Sequence, residues 1–246
     1  MRLCSIRAAG TLLAGVLDRS AYLFAGLFGL ALLAFWPSYL SRLGSGSSGY
    51  VHVHAAVMTL WFGLLIAQAV LIRTRRRALH RRLGALSYGL APIVVVSGVL
   101  LTHAALVREA GADPAGAGMM AYLPLAMLAW FTACYALAIA YRKTPALHAR
   151  FMIGTCLAAV DPIVSRVAAF YFPPLEDPVR YPLISWSVTA AILLAAIAGE
   201  RGQPRGRAVF PAMLATSSAV FALWFLLAPS PAWRMFARWF HDLPLT

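Results

Sequence analysis

Seven apolar stretches of about twenty residues, separated by short breaker-rich connections, constrain this chain more than any other feature. They cover residues 21–40, 51–72, 85–106, 119–141, 152–172, 181–198 and 211–227. A hydrocarbon layer of about 30 Å takes about 20 residues of helix at about 1.5 Å each, so every stretch is long enough to cross it. Barrel strands would be about half as long and would alternate polar with apolar, and no such alternation runs through these segments. A backbone in lipid must satisfy its own hydrogen bonds, which leaves helices. The chain is 61% hydrophobic and 12% charged, about half the charged share of a soluble domain, and that excludes soluble and disordered classes. The expected fold is an all-α polytopic membrane bundle of seven transmembrane helices forming one domain over residues 20–228.

Sidedness follows from the basic residues. With the N-terminus inside, fifteen Lys and Arg fall on the cytoplasmic side: Arg2, Arg7, Arg19, Arg73, Arg75, Arg76, Arg77, Arg81, Arg82, Arg142, Lys143, Arg150, Arg201, Arg205 and Arg207. Five fall outside (Arg42, Arg108, Arg180, Arg234, Arg238), and Arg166 lies within a span. This asymmetry is the positive-inside signature, so the expected topology is N-terminus in and C-terminus out. It also accounts for the net charge of +13 without nucleic acid as a partner. Residues 1–19 read as a cytoplasmic interfacial lead-in helix, since no small-residue cleavage site follows the run 8–17. Residues 229–246 mix aromatic and basic side chains and read as an outer interfacial tail.

The six histidines gather near the two faces. His52 and His54 open the second span and His103 closes the third, both at the outer face. His80 and His148 precede the third and fifth spans at the inner face. Paired histidines near each surface suit b-type haem held by two imidazoles, so His54 with His103 and His80 with His148 are the expected ligand pairs. His52 and His54 differ by about 200° around a helix and cannot both serve one haem. Two alternatives stay open: another metal on His52, His54 and His103, and, for His80 and His148, interfacial contacts with lipid phosphate. His54, Trp61 and Gln68 recur at seven-residue steps with Met58 and Leu65 between them. That stripe should face protein, because a Gln amide in hydrocarbon needs a partner.

Asp161 is the costliest residue. It falls near the middle of the fifth span, followed by Pro162 and then Arg166. Ionisable groups at that depth face the bundle interior and mark proton, ion or cofactor sites. Asp161 and Arg166 stand about 140° apart on one helix, so a direct pair is one arrangement and a haem propionate on Arg166 another. None of the seven stretches contains lysine, which excludes a retinal Schiff base. No Walker-type or His-Glu-x-x-His motif occurs. Cys4, Cys134 and Cys156 form no metal or disulfide pattern.

The segments Tyr50-Val-His-Val-His-Ala55 and Leu79-His-Arg-Arg-Leu-Gly84, with Trp61 and Gln68 between them, precede Leu147-His-Ala-Arg-Phe-Met152, Pro162 and Arg166. Over residues 50–166 this pattern resembles a group of bacterial multi-pass membrane proteins of unknown function. The His-Arg-x-Leu-Gly element is also similar to one in transmembrane cytochrome b561 and ferric-reductase-like proteins, where helix-borne histidines hold b haems about four turns apart. Here that spacing from His54 ends at Gln68. The resemblance implies a bacterial inner-membrane oxidoreductase passing electrons, with quinone or a redox protein as partner. Three functions are therefore carried forward. The first is b-haem electron transfer on His54, His103, His80, His148 and Arg166. The second is a proton-coupled permease using Asp161, with Arg166 and Gln68 in its path. The third is a non-catalytic assembly subunit of a respiratory complex.

Overall fold

The computed structural model describes residues 20–43, 48–111, 114–172, 180–200 and 206–246. Within them the chain forms α1 (Ser20–Phe35), α2 (Gly49–Arg73), α3 (Arg77–Gly84), α4 (Ser87–Ala110) and α5 (Pro114–Ala140). It continues as α6 (Pro145–Leu157), α7 (Val160–Tyr171), α8 (Arg180–Gly199), α9 (Val209–Leu227) and α10 (Pro231–His241). A 3-10 turn covers Leu40–Arg42, and no strand occurs among the described residues. The all-helical reading holds.

Six helical segments are long and apolar enough to cross a membrane: α2, α4, α5, α6 with α7, α8 and α9. The first expected span, 21–40, is helical only to Phe35, where turns at Trp36 and Pro37 take over; a proline disfavours helical geometry in the residue before it. As described, α1 is therefore shorter than a crossing helix. The lead-in 1–19 lies outside the described residues. Consecutive elements pack together, α2 on α4, α4 on α5, α5 on α6, α7 on α8 and α8 on α9, while α10 folds back over α4 and α5. Ser230 starts α10 by accepting the Trp233 N–H at 3.1 Å. That helix buries Ala237 and Phe240 and leaves Arg234, Met235, Arg238 and Trp239 exposed, the pattern of an interfacial helix.

Two larger apolar clusters dominate the interior among the described residues. Trp61, Phe62, Leu65, Val94, Phe131 and Ile163 make the first; Trp130, Val160, Leu193, Phe210 and Met213 make the second. Ile163 and Val160 both belong to α7, so the span 145–171 stands between the clusters. Its most apolar window is 44% buried, against 22–39% for the other five. At Gly154 the approach is close enough to demand glycine: a Cβ would lie 2.5 Å from Met213 Cε and 2.8 Å from Cys134 Sγ.

This central span is broken. The helix stops at Leu157 and restarts at Val160, and two neighbouring features explain why. The Trp130 indole N–H, from α5, donates to the Gly154 carbonyl at 2.9 Å, the acceptor that Ala158 N–H would use in a continuous helix; Ala158 N–H turns to Cys156 O. Four residues on, Pro162 has no N–H for the Ala158 carbonyl and its ring crowds that oxygen. Pro92 and Pro124 sit inside α4 and α5, which run on through them.

At the basic end, α2 turns into α3 through Arg75, which holds φ 60°. A left-handed non-glycine residue costs about 1–2 kcal/mol. Arg75→Gly is expected to raise stability by about 0.5–1 kcal/mol after the extra chain entropy of glycine is counted. Thermal unfolding in detergent reads this directly, and an unchanged or lower midpoint would contradict it.

Candidate functional site

Just past the break, Asp161 is the second residue of α7 and lies in its first turn. A carboxylate there meets the positive end of the half-helix. It lines a small cleft, partly open to the surroundings, between α5, α6, α7, α8 and α9, with Met127, Trp130, Trp186, Thr189, Ser217 and Phe221 among its walls. Thr189 and Ser217 fall near the middles of α8 and α9, so the cleft lies at mid-depth in the bundle. Trp186 stacks on Phe221 with ring centres 5.3 Å apart, and its indole nitrogen is buried without a hydrogen-bond partner among the described residues. Ser185 links α8 to α7: it pairs with the Ser165 hydroxyl at 2.7 Å and reaches the Asp161 carbonyl at 3.3 Å.

Arg166 points elsewhere. Its guanidinium lies 4.5 Å from the centre of the Phe35 ring and donates to the Pro162 carbonyl at 3.0 Å. It acts electrostatically on both His54 and Asp161. Among the described residues no cation stands within 4.0 Å of the Asp161 carboxylate. The 140° separation read from the sequence thus keeps the two charges from forming an ion pair.

The outer histidines go to separate partners. His52 Nδ1 pairs with the Tyr39 hydroxyl at 2.9 Å, and His54 Nδ1 with Ser97 Oγ at 3.1 Å. Ser97 Oγ also lies 3.1 Å from the Val94 carbonyl, so its one proton serves either that oxygen or His54. His103 Nδ1 pairs with Thr246 Oγ1 at 2.7 Å, its ring meets Phe240 edge-on, and its Nε2 is buried without a partner among the described residues. Ser97 and His103 are six residues apart, about 120° around α4. His54 and His103 therefore occupy different faces, and the structure does not bring this pair together. No group of three His, Cys, Asp or Glu converges on a metal position among the described residues.

Of the inner histidines, His80 meets Gln68. The Gly84 N–H can only donate, so it faces Gln68 Oε1 at 2.9 Å; the amide nitrogen then donates to the His80 carbonyl at 3.1 Å and to His80 Nδ1. This places the His80 proton on Nε2. His148 Nδ1 donates to the Ala138 carbonyl at 2.8 Å, and Nε2 is the ring nitrogen turned from that bond. For a bis-imidazole haem, His148 is set as a ligand. His80 fits only with the Gln68 amide turned over, which strands the Gly84 N–H.

Burial, and then the neighbouring His148, hold the His80 imidazole below its ordinary range. In the unfolded chain it protonates near pH 6.5, at about its reference value. Its contribution is therefore complete above about pH 6.5 and is lost as pH falls toward the lower folded value. His80→Gln should flatten the loss of thermal stability between about pH 7 and 5. Parallel pH profiles for the two proteins would contradict this.

The stripe on α2 faces protein as expected. His54 to Gln68 spans about 21 Å, with Trp61 between them, 1% exposed and edge-on to Phe131 and Tyr135. The Tyr135 hydroxyl bonds Ser87, which donates to the Gly84 carbonyl at 2.7 Å. Sequence reasoning did not single out Trp130, Trp186, Ser185 or Tyr135. Their one signal was a polar tip inside an apolar run, which marks a group needing a partner but not which partner. Comparison with known proteins brings no relative: no family model, curated protein or solved structure matches the chain, so neither resemblance of residues 50–166 gains support from that side.

Proposed function

We propose that this protein is a proton-coupled permease, with Asp161 as the carboxylate that takes up and releases the coupling proton. The observation that carries the reading is the break between α6 and α7 beside Asp161, on a cleft at mid-depth. Interrupted helices at the bilayer midplane are where transporters place substrate and coupling-ion sites, because freed backbone groups and half-helix ends supply polar contacts there. A carboxylate at that depth is expensive to hold without a task. The basic end, with Arg73, Arg77, Arg81, Arg82, Arg142 and Lys143, faces the cytoplasm in this reading, across a bacterial inner membrane. Crossing by residues 21–40 as a seventh span would place the N-terminus inside.

Reconstituted in vesicles with an entrapped pH dye, the protein should dissipate an imposed pH gradient when a mixture of amines, amino acids and sugars is supplied. Asp161→Asn should slow that flux at least about tenfold, and Asp161→Glu should retain part of it. Equal rates for wild type and Asp161→Asn would sink the reading.

A second reading, b-haem electron transfer, is favoured by His148, whose Nδ1 is held by the Ala138 carbonyl with Nε2 turned from that bond. A haem there would be held by the His80 and His148 imidazoles and would carry single electrons at the basic end, to quinone or a redox protein. It ranks second because of the Gln68 amide. A sharp α-band in the reduced spectrum of protein from haem-replete cells, lost in His148→Ala, would put it first.

A further inference from the structure

We infer that the Asp161 cleft takes a lipophilic organic monocation, exchanged one for one with the proton of Asp161. This rests on the permease reading and names its substrate class. The first ground is charge. Asp161 is the sole titratable side chain among the cleft's described walls; α5, α6, α8 and α9 contribute none there, and Arg166 on α7 acts from a different side of the helix. A carboxylate at mid-depth without a cation in contact is stable when protonated or when paired with a cation brought from outside.

The second ground is the chemistry of the walls. Trp130, Trp186 and Phe221 offer ring faces, which attract cations through their quadrupoles. The two hydroxyls are committed as donors within their own helix: Thr189 to the Ser185 carbonyl at 3.1 Å, Ser217 to the Leu214 carbonyl at 3.0 Å. Committed in this way, neither offers a proton to an anion. The buried Trp186 N–H is a single neutral donor, too little to offset a negative substrate. Leu123, Met127, Leu157, Pro182 and Val220 cover the rest. An inorganic cation would need about six oxygen ligands, and no such set is present among the described walls. An organic cation brings its own apolar coat.

The exchange balances simply. The O–H bond of the Asp161 carboxyl breaks, the proton leaves to water, and the carboxylate takes the arriving cation as its counter-charge. On the other side a proton returns as the cation leaves.

Benzyltrimethylammonium and its neutral carbon isostere neopentylbenzene, titrated against the detergent-purified full chain, separate charge from shape. Tryptophan fluorescence reads binding, and a pH electrode in weak buffer reads released protons. Expected are about one proton released per cation, tighter cation binding as pH rises, and a loss of at least about thirtyfold in Asp161→Asn with Asp161→Glu largely retaining affinity. Neopentylbenzene should bind both proteins alike. Equal affinities of the cation for wild type and the Asn variant, or binding without proton release, would overturn the inference. Asp161-dependent proton flux in vesicles without cation binding would also overturn it, yet leave the permease reading standing. Asp161-dependent cation binding with proton release but no flux would support the site and remove the permease.

Discussion

Glu200→Ala is expected to destabilise the protein by about 3–5 kcal/mol, the largest loss from any single side chain considered. Arg150 is 3% exposed, and its Nε donates to both oxygens of Glu200, at 2.8 and 3.1 Å. One guanidinium nitrogen reaches the Ala146 carbonyl at 2.6 Å, and the plane lies 5.9 Å from the Phe210 ring centre. The pair fastens α6 to the end of α8, with Gly206 closing over it. At φ +82° Gly206 adopts a conformation open to glycine, and a Cβ there would stand 2.8 Å from the Arg150 guanidinium. Removing Glu200 leaves a buried charge with one carbonyl for company. Replacing both partners, as Arg150→Met with Glu200→Leu, should recover most of the loss, because the isolated charge rather than the absent attraction carries the cost. Salt should change the wild-type midpoint little, since a buried pair is weakly screened. Thermal unfolding in detergent tests all three statements; a Glu200→Ala midpoint within about 1 kcal/mol of wild type would refute the argument.

Arg150 also shows where reading the sequence stops. Its charge was legible as part of the positive-inside asymmetry, and that asymmetry treats every Arg alike. Which one is buried depends on a carboxylate fifty positions away, and nothing in local pattern links Arg150 to Glu200. The same division holds for the histidines. The 200° between His52 and His54 follows from helix geometry, and the two rings do take different partners, Tyr39 and Ser97. The pairing of His54 with His103 assumed that residues at the same depth on neighbouring helices meet. Depth leaves rotation about the helix axis free, and α4 turns His103 toward α10. Asp161 stood out in the sequence because its cost depends only on depth, whereas its cleft depends on four other helices.

Pro162→Ala is expected to stabilise the protein and cripple its transport together. Alanine supplies the N–H that the Ala158 carbonyl lacks and removes the ring that crowds it, a change worth up to about 3 kcal/mol in a helix interior. Because Trp130 still holds the Gly154 carbonyl, about 1–2 kcal/mol of that should appear as added stability. The repaired helix withdraws the freed backbone groups from the midplane and takes Asp161 out of a half-helix N-terminus. Proton flux should fall at least about tenfold, although no group lining the cleft has been altered. Hydrogen exchange at residues 158–163 reads the repair independently of transport. Slowed exchange with wild-type flux would mean that the break serves packing alone, and the permease reading would lose the observation it stands on.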